Sequence, residues 1–247
     1  MGEEPGYASL RDRIARDGFA LVATEDMRPL LGPAEALPDW ERFAASWGDL
    51  PLDTHLPQGH RYRRRRHATL SARAGEREFR LERRRPHYQG LEYNRLVGGI
   101  ERWFEPIRPE ILAGPTFHRI VRFCLELFGP LRPAAGWHVE CHQFRIEAKP
   151  EAAGQPTPEG VHRDGVDYVL VLLVNRVNIE SGTTTVHEPD GKVIGSFTLT
   201  DPFDAALVDD ARVMHGVTPV RPVDARHAAY RDVLVVTLRA TRRSAAS

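Results

Sequence analysis

Hydrophobic residues in this chain recur with two different periods, one typical of helices and one typical of strands. Leu10 and Ile14 stand one helical turn apart. Trp40, Phe43 and Trp47 likewise fall on one helical stripe, which is more typical of core packing than of ligand binding. The helical period predicts helices at residues 7–18, 40–47 and 117–128.

Alternation with a period of two dominates the rest of the chain. Short apolar runs are separated by Gly, Pro, Asn and Asp turn signals at near-regular spacing, which is typical of an antiparallel sandwich or barrel. The predicted strands include residues 19–22, 137–146, 166–174 and 230–238, with a hairpin over 178–199. We therefore predict a mainly β protein with flanking helices. A single domain over 1–247 is expected, with a helical cover at about 1–55 and a β core at about 56–240.

Composition narrows the class of protein. The chain has 247 residues, and its 34 Lys and Arg balance 34 Asp and Glu, so the net charge favours neither a nucleic acid nor an anionic membrane as partner. Cys124 and Cys141 form no CxxC motif and are predicted to be reduced and buried. Residues 1–5 are too polar for a secretory signal, and residues 168–174 are too short to span a bilayer. We expect a cytoplasmic protein with a small-molecule partner.

Residues 160–165 carry the strongest chemical signal. His162 and Asp164 stand two residues apart, so in an extended backbone their side chains leave the same face and can hold neighbouring positions on one metal ion. A His-x-Asp pair arises easily by chance, but this one precedes a strand and is joined by His215, which ends a second extended segment. Two imidazoles and one carboxylate with open positions are the ligand set of non-haem Fe(II) oxygenases.

A rival metal set lies in the strand predicted at residues 137–146. His138, Glu140 and His142 would project from one face of that strand, and such a row can bind zinc or manganese in a cupin-like barrel. This choice would leave the His-x-Asp segment unexplained. The opposite face, which includes Gln143, is predicted to suit a barrel interior with polar contacts for a ligand.

Residues 61–67 are strongly basic. As a strand, they would place Arg61, Arg63, Arg65 and His67 on one face. Most of the arginines are expected to be solvated. For one or two of them, contact with an anionic ligand is an equal alternative, because the planar guanidinium pairs bidentately with carboxylate. RNA binding by this segment is a competing interpretation, although nearby glutamates would neutralise much of the local field.

The last predicted strand begins with an arginine. Alternation places Arg231, Val233, Val235 and Thr237 on one face. A permanent positive charge at the mouth of an apolar strand is costly to bury without an anionic partner. A dicarboxylate co-substrate and an acidic side chain across the sheet would both satisfy it, so the pattern leaves the two open.

Several stretches, taken in order along the chain, carry a family resemblance. They are residues 61–64, 93–94, 98–99, 142–145, 158–168, the Gly-Thr strand after residue 181, 215–216 and 231–234. Together they resemble the Fe(II)/2-oxoglutarate-dependent dioxygenases typified by bacterial L-isoleucine hydroxylases, enzymes that act on free amino acids. The resemblance covers roughly residues 55–240, and the first fifty residues match it less well.

The resemblance implies a double-stranded β-helix, also called a jelly roll, of the cupin-like class. It implies that His162, Asp164 and His215 bind Fe(II) as the catalytic metal and that Arg231 binds 2-oxoglutarate. A small residue in place of Asp164 would leave a coordination position on the metal open for halide. The acid at this place in the sequence therefore favours hydroxylation over halogenation.

Further contacts are expected on the same basis. Gln143 and Thr183 are expected to contact the co-substrate. Tyr62, Arg63 and Glu140, with Gln143 as a further candidate, are expected to hold the carboxylate and ammonium of an amino acid. The prediction is an amino acid hydroxylase that uses Fe(II), 2-oxoglutarate and O2 and releases succinate and CO2. The alternative is a non-catalytic or differently metallated cupin-type protein that binds a small molecule.

Overall fold

The computed structural model describes residues 5–57 and 62–241, so Arg61 lies outside the described residues. The α-helices in that part of the chain all lie before residue 129. They are α1 (Pro5–Asp17), α2 (Thr24–Leu30), α3 (Trp40–Ala45), α4 (Pro109–Leu112) and α5 (Pro115–Phe128). None of these described helices is long and apolar enough to cross a membrane.

Strands account for most of the remaining regular structure. They are β1 (Phe19–Val22), β2 (Arg63–Ala72), β3 (Arg80–Leu81), β4 (Gly136–Ala148), β5 (Tyr168–Val177), β6 (Ile179–Ser181), β7 (Thr183–His187), β8 (Val193–Thr198), β9 (Ala205–Asp209), β10 (Met214–Val217), β11 (Val220–Pro222) and β12 (Ala229–Thr241). The fold class predicted from the two periods, mainly β with flanking helices, is confirmed.

The strands form a large and a small antiparallel sheet that face each other, with a two-stranded ribbon of β11 and β6 beside them. The large sheet runs β1-β9-β5-β12-β4-β2-β3, and the small sheet runs β10-β7-β8. Val169 and Val208 of the large sheet pack against Val186 of the small sheet. This arrangement is the double-stranded β-helix that the family resemblance implies.

The helices cover the other face of the large sheet. Phe117 and Ile120 of α5 join Val139 of β4 in one buried apolar cluster. Cys124 and Cys141 lie in the same layer, and both are free thiols, as predicted. The large sheet is therefore buried on both faces, by helices on one side and by the small sheet on the other.

The prediction that the Gln143 face of β4 lines the barrel interior is wrong. Val139 and Cys141 lie beneath the helices, and the side-chain amide of Gln143 donates to the hydroxyl of Ser46 at 2.8 Å. The opposite face, which carries His142, lines the interior. Alternation separates two faces of a strand but does not identify which face the helices cover.

Trp47 ties the helical layer to the centre of the large sheet. Its side chain is fully buried, and its indole N–H lies 3.1 Å from the carbonyl oxygen of Phe144 and 3.3 Å from that of Val233. These two residues are paired across β4 and β12. The indole therefore contributes both apolar burial and a donor to the main chain of the two strands that carry much of the interior wall.

Trp47→Ala is expected to lower the free energy of unfolding by about 3–5 kcal/mol, because it leaves a large cavity beneath the sheet. Trp103→Ala is the matched control, since Trp103 is 50 % exposed, and a surface change of this kind alters stability by about 0.5 kcal/mol. Urea unfolding followed by circular dichroism measures both. Equal losses for the two variants would contradict the role given to Trp47.

Candidate functional site

Main-chain pairing brings His162 and His215 together. Each backbone N–H donates to the carbonyl of the other residue at 2.9 Å, and the ring centroids lie 4.7 Å apart. Asp164 follows in the next turn, with carboxylate oxygens 3.6 Å from Nε2 of His162 and 3.7 Å from Nε2 of His215. The three side chains predicted from the sequence therefore converge, and their ligand atoms lie within 4.8 Å of one another.

A buried carboxylate holds the turn that carries Asp164. Asp210 accepts hydrogen bonds from the backbone N–H groups of Asp164 at 2.9 Å, Gly165 at 2.8 Å and Val166 at 3.1 Å. Gly165 has a φ of +79°, and a Cβ at this position would lie 2.6 Å from the ring of Tyr93. Glycine is thus required here both by the backbone conformation and by the close approach of an aromatic ring.

The imidazole of His162 is oriented by its own main chain. Its Nδ1 lies 3.0 Å from the carbonyl oxygen of Gly160. A carbonyl only accepts, so Nδ1 carries a proton, and Nε2 is the nitrogen that faces the centre of the triad and can bind a metal once it is deprotonated. Nδ1 of His215 lies 4.0 Å from the Asp210 carboxylate. That distance is too long for a hydrogen bond, and Nδ1 of His215 has no hydrogen-bond partner among the described residues. The outer nitrogen of His162 has the support that is usual for metal-binding histidines.

The electrostatics of the triad suit a cation. Burial lowers the pKa of His162, but its contacts with Asp164 outweigh this effect and raise the pKa to about 9. Burial alone would raise the pKa of Asp164, whereas hydrogen bonding to His162 holds that pKa well below its ordinary value. Burial and the nearby charge of His162 lower the pKa of His215 to about 4. An ionised carboxylate between two imidazoles fits a divalent metal, and this donor set suits Fe(II).

Arg231 lies in the same cavity as the triad. It is 2 % exposed, and its Nε and Nη2 have no hydrogen-bond partner. Burial and then repulsion from Arg176 lower its pKa to about 10. Among residues 5–57 and 62–241 no acid pairs with it, and the adjacent Asp232 is taken by Arg145 at 2.7 Å. Of the two partners that the sequence left open, an external anion fits this guanidinium and a protein acid does not.

The cavity is lined by charged and aliphatic side chains. Along β12, the residues Arg231, Val233, Val235 and Thr237 all line it, as alternation predicts. The triad lines it as well. Further arginines, an acid and aliphatic side chains complete the part of the lining that bears on the ligand; they are Arg63, Arg65, Arg102, Glu159, Ile146, Val169, Val171 and Val217. A small molecule with both charged and apolar parts is the ligand that this lining fits.

The basic strand β2 divides its arginines between two faces. Arg63 and Arg65 are buried and line the cavity. Arg63 is held by an ion pair with Asp53 at 2.7 Å. Arg64 and Arg66 lie on the other face, as the alternation predicts. Half of this described part of the basic run therefore belongs to the interior of the protein.

Glu140 lies among histidines in a second cluster. Its carboxylate is 2.5 Å from Nδ1 of His87 and 3.4 Å from Nε2 of both His138 and His142. Nε2 of His67 is 3.7 Å away. Burial would raise the pKa of Glu140, but its contacts with the four imidazoles hold that pKa well below the ordinary value. Two members of the rival set predicted from β4, Glu140 and His142, thus lie with His67 and His87 in a group whose ligand atoms are within 4.8 Å of one another, and His138 is not part of that group.

Arg65 determines which ring nitrogen of His142 carries a proton. Its guanidinium lies 2.7 Å from Nδ1 of His142. Arginine only donates, so Nδ1 of His142 is the acceptor and Nε2 keeps its proton. That proton points towards Glu140, which leaves His142 without a lone pair for a metal. The geometry therefore favours the triad that contains His162 as the metal site.

Four residues predicted to contact ligands do not line this cavity, namely Thr183, Tyr62, Gln143 and Glu140. The hydroxyl of Thr183 is 3.0 Å from that of Thr198 in the small sheet. Tyr62 is packed in a buried apolar cluster that includes Ile146. Gln143 faces the helices. Their contacts with co-substrate or substrate stay predictions.

Sequence reasoning missed several side chains near the triad. Gln89 lies with its Nε2 3.3 Å from a carboxylate oxygen of Asp164, and its Oε1 accepts from Arg102 at 2.8 Å. Both come from an irregular segment with no periodic pattern. Glu159, 3.3 Å from Nε2 of His162, immediately precedes residues 160–165, so its position in the sequence was a usable signal. No feature of the sequence pointed to Asp210 apart from its closeness to His215 along the chain.

Known proteins share both the sequence pattern and the fold. The sequence model of the 2OG-Fe dioxygenases matches residues 44–237. The 3(1)-hydroxy-L-isoleucine 4-dioxygenase of Pantoea ananatis is 24% identical over 235 residues, which cover 91% of this chain and 92% of that protein.

Two crystal structures are similar over nearly the whole chain. A bsmA homolog from Methylobium petroleophilum PM1 has a TM-score of 0.86 and 35% identity, covering 100% of this chain and 98% of that chain. IDO from Bacillus thuringiensis has a TM-score of 0.79 and 20% identity, covering 96% of this chain and 100% of that chain. At this lower identity the second likeness concerns the fold alone.

Asp210→Ala is expected to weaken Fe(II) binding by about 10- to 100-fold, because the turn that carries Asp164 loses the acceptor for its N–H groups. His162→Ala, which removes a ligand atom, should abolish stoichiometric binding. His187→Ala is the control, since His187 bonds within its own hairpin. Anaerobic equilibrium dialysis measures all three. Wild-type affinity in Asp210→Ala would show that the turn does not depend on this carboxylate.

Proposed function

The chain belongs to the 2OG-Fe dioxygenase family, and we propose that within this family it hydroxylates an unactivated C–H bond of a free L-amino acid. Its cofactor and co-substrates are Fe(II), 2-oxoglutarate and O2. When bound, they supply the oxidising chemistry and release succinate and CO2.

In this proposal the protein binds, orients and shields the reactants. His162, Asp164 and His215 would hold Fe(II) and leave positions open for other ligands. Asp210 keeps the turn of Asp164 in place through its hydrogen bonds to the main chain. The aliphatic side chains of β5 and β12 that line the cavity, such as Val171, limit the access of water.

The observation that carries the proposal is the unpaired guanidinium of Arg231 in the cavity of the triad. Its Nε and Nη2 are buried without a partner. A buried cation in this state is costly unless an anion reaches it. The carboxylate of 2-oxoglutarate that lies farther from the metal satisfies this requirement, and the planar fork of arginine suits it.

Two observations support a free amino acid as the substrate. The relative from Pantoea ananatis bears a name that describes oxidation of a hydroxy-isoleucine. The cavity of this chain combines valines with side chains of both charges, among them Arg63 and Glu159. A zwitterion with an apolar side chain needs both kinds of surface.

The proposal is tested by a screen of free amino acids. The protein is incubated with Fe(II), 2-oxoglutarate, O2 and one amino acid at a time, and succinate is measured beside the mass of the amino acid. One or a few aliphatic or cyclic amino acids are expected to raise succinate and to gain one oxygen atom in equal amounts. If no amino acid gained oxygen or raised succinate, the proposed substrate class would be excluded.

Arg231→Ala is expected to raise the 2-oxoglutarate concentration for half-maximal succinate formation by at least about 30-fold, because it removes one partner of a buried charge pair. Arg231→Lys keeps the charge without the planar fork, so its defect should be smaller. Arg226→Ala is the control, since that side chain is 83% exposed. An unchanged 2-oxoglutarate requirement in Arg231→Ala would remove this residue from the co-substrate site.

A further inference from the structure

Arg102 is a second buried guanidinium without an acidic partner. The residue is 1 % exposed, and its Nε has no hydrogen-bond partner. Its Nη2 donates to the neutral side chain of Gln89. In the described part of the chain no carboxylate forms an ion pair with it. Burial and then repulsion from Arg63 lower its pKa. This arrangement calls for an anion that the protein itself does not supply.

The other arginines of the cavity differ from Arg102 in having an assigned anion. Arg63 pairs with Asp53 at 2.7 Å, and Arg65 lies 3.9 Å from the same carboxylate besides donating to an imidazole at 2.7 Å. Arg231 has been assigned to the far carboxylate of 2-oxoglutarate, whose other carboxylate belongs to its metal-binding end. The anion for Arg102 must therefore come from a different molecule, and the substrate is the molecule that shares this cavity.

Glu159 provides the complementary charge. Its side chain is 10% exposed, and its Oε2 is buried without a partner. Its Oε1 lies 3.3 Å from Nε2 of His162, the nitrogen assigned to the metal. When a metal binds Nε2 of His162, this nitrogen no longer donates to Oε1 of Glu159. Both carboxylate oxygens of Glu159 are then available to a ligand. Glu140, in contrast, is already surrounded by imidazoles. Glu159 is therefore the acid that fits an ammonium group of a ligand.

We propose that Arg102 binds the α-carboxylate of the substrate and that Glu159 binds its α-ammonium group. This inference rests on the proposed function, because it assumes an amino acid substrate. The class of ligand that it specifies is an α-zwitterion. A carboxylic acid without the amine, or an amine without the carboxylate, leaves one of the two buried charges unpaired.

Gln89 connects the carboxylate anchor to a metal ligand. Its Oε1 accepts from Nη2 of Arg102 at 2.8 Å, and its Nε2 lies 3.3 Å from both the backbone and a side-chain oxygen of Asp164. The guanidinium and the carboxylate ligand are thus held by opposite ends of one amide. A substrate bound by Arg102 takes a defined orientation towards the metal site.

Anaerobic calorimetry tests the assignment without turnover. Protein loaded with Fe(II) and 2-oxoglutarate is titrated with L-isoleucine, 3-methylpentanoate and 2-methylbutylamine. All three carry the same sec-butyl side chain, and the two analogues lack the amine or the carboxylate, respectively. If another amino acid gives more succinate in the screen, that amino acid and its deamino and decarboxy analogues are used. The wild-type protein is expected to bind the amino acid at least about 30-fold more tightly than either analogue.

The variants separate the two contacts. Arg102→Gln is expected to weaken binding of the amino acid by at least about 30-fold and to leave binding of the amine unchanged. Glu159→Gln should weaken the amino acid equally and leave the deamino acid unchanged. Glu105→Gln is the control, because that side chain is 59% exposed. If Arg102→Gln does not fold, Arg102→Lys is used in its place. This variant is also expected to weaken amino acid binding but not amine binding.

Each other outcome contradicts a definite part of the account. Unchanged amino acid affinity in both variants would overturn the assignment of Arg102 and Glu159 alone. Weaker 2-oxoglutarate binding in a folded Arg102→Gln variant would assign Arg102 to the co-substrate instead. If the wild-type protein bound 2-oxoglutarate but no amino acid, the proposed function would fail, and this inference with it.

Discussion

Pairing of His162 with His215 joins two segments that are far apart in the sequence, and the candidate site depends on it. The two hydrogen bonds between their main chains set the spacing of the imidazoles before any metal is considered. Asp210 then fixes the following turn through its hydrogen bonds to backbone N–H groups, and this turn places Asp164 between the rings. The ligand geometry is therefore imposed by the main-chain bridge between His162 and strand β10 and by the Asp210 carboxylate that holds the following turn.

Buried charge is the second feature that organises the cavity. Arg63 has an acidic partner, whereas Arg102 and Arg231 have none in the described chain. Unpaired buried cations destabilise a fold unless a ligand compensates them. These charges therefore lower the stability of the ligand-free protein, a compromise common in active sites. Glu140 shows the opposite case, because surrounding imidazoles satisfy its charge within the protein.

Local periodicity accounts for most of what the sequence could predict. The helices, the long strands and the shared face of Arg231 and Val235 follow from spacing along the chain. The triad followed from a short motif, a distal histidine and a family resemblance. The inward face of β4 did not follow, because helices placed elsewhere in the sequence determine that Gln143 faces outwards. Gln89 and Arg102 come from irregular segments, where only tertiary contacts fix a side chain.

The central claim is that one Fe(II) and one 2-oxoglutarate bind together, at the triad and beside Arg231. Anaerobic titration of the Fe(II)-loaded protein with 2-oxoglutarate, followed by visible absorption, tests it most directly. A weak metal-to-ligand charge-transfer band that saturates at one equivalent of 2-oxoglutarate per chain is expected. A protein that holds Fe(II) yet develops no such band at saturating 2-oxoglutarate would contradict this claim.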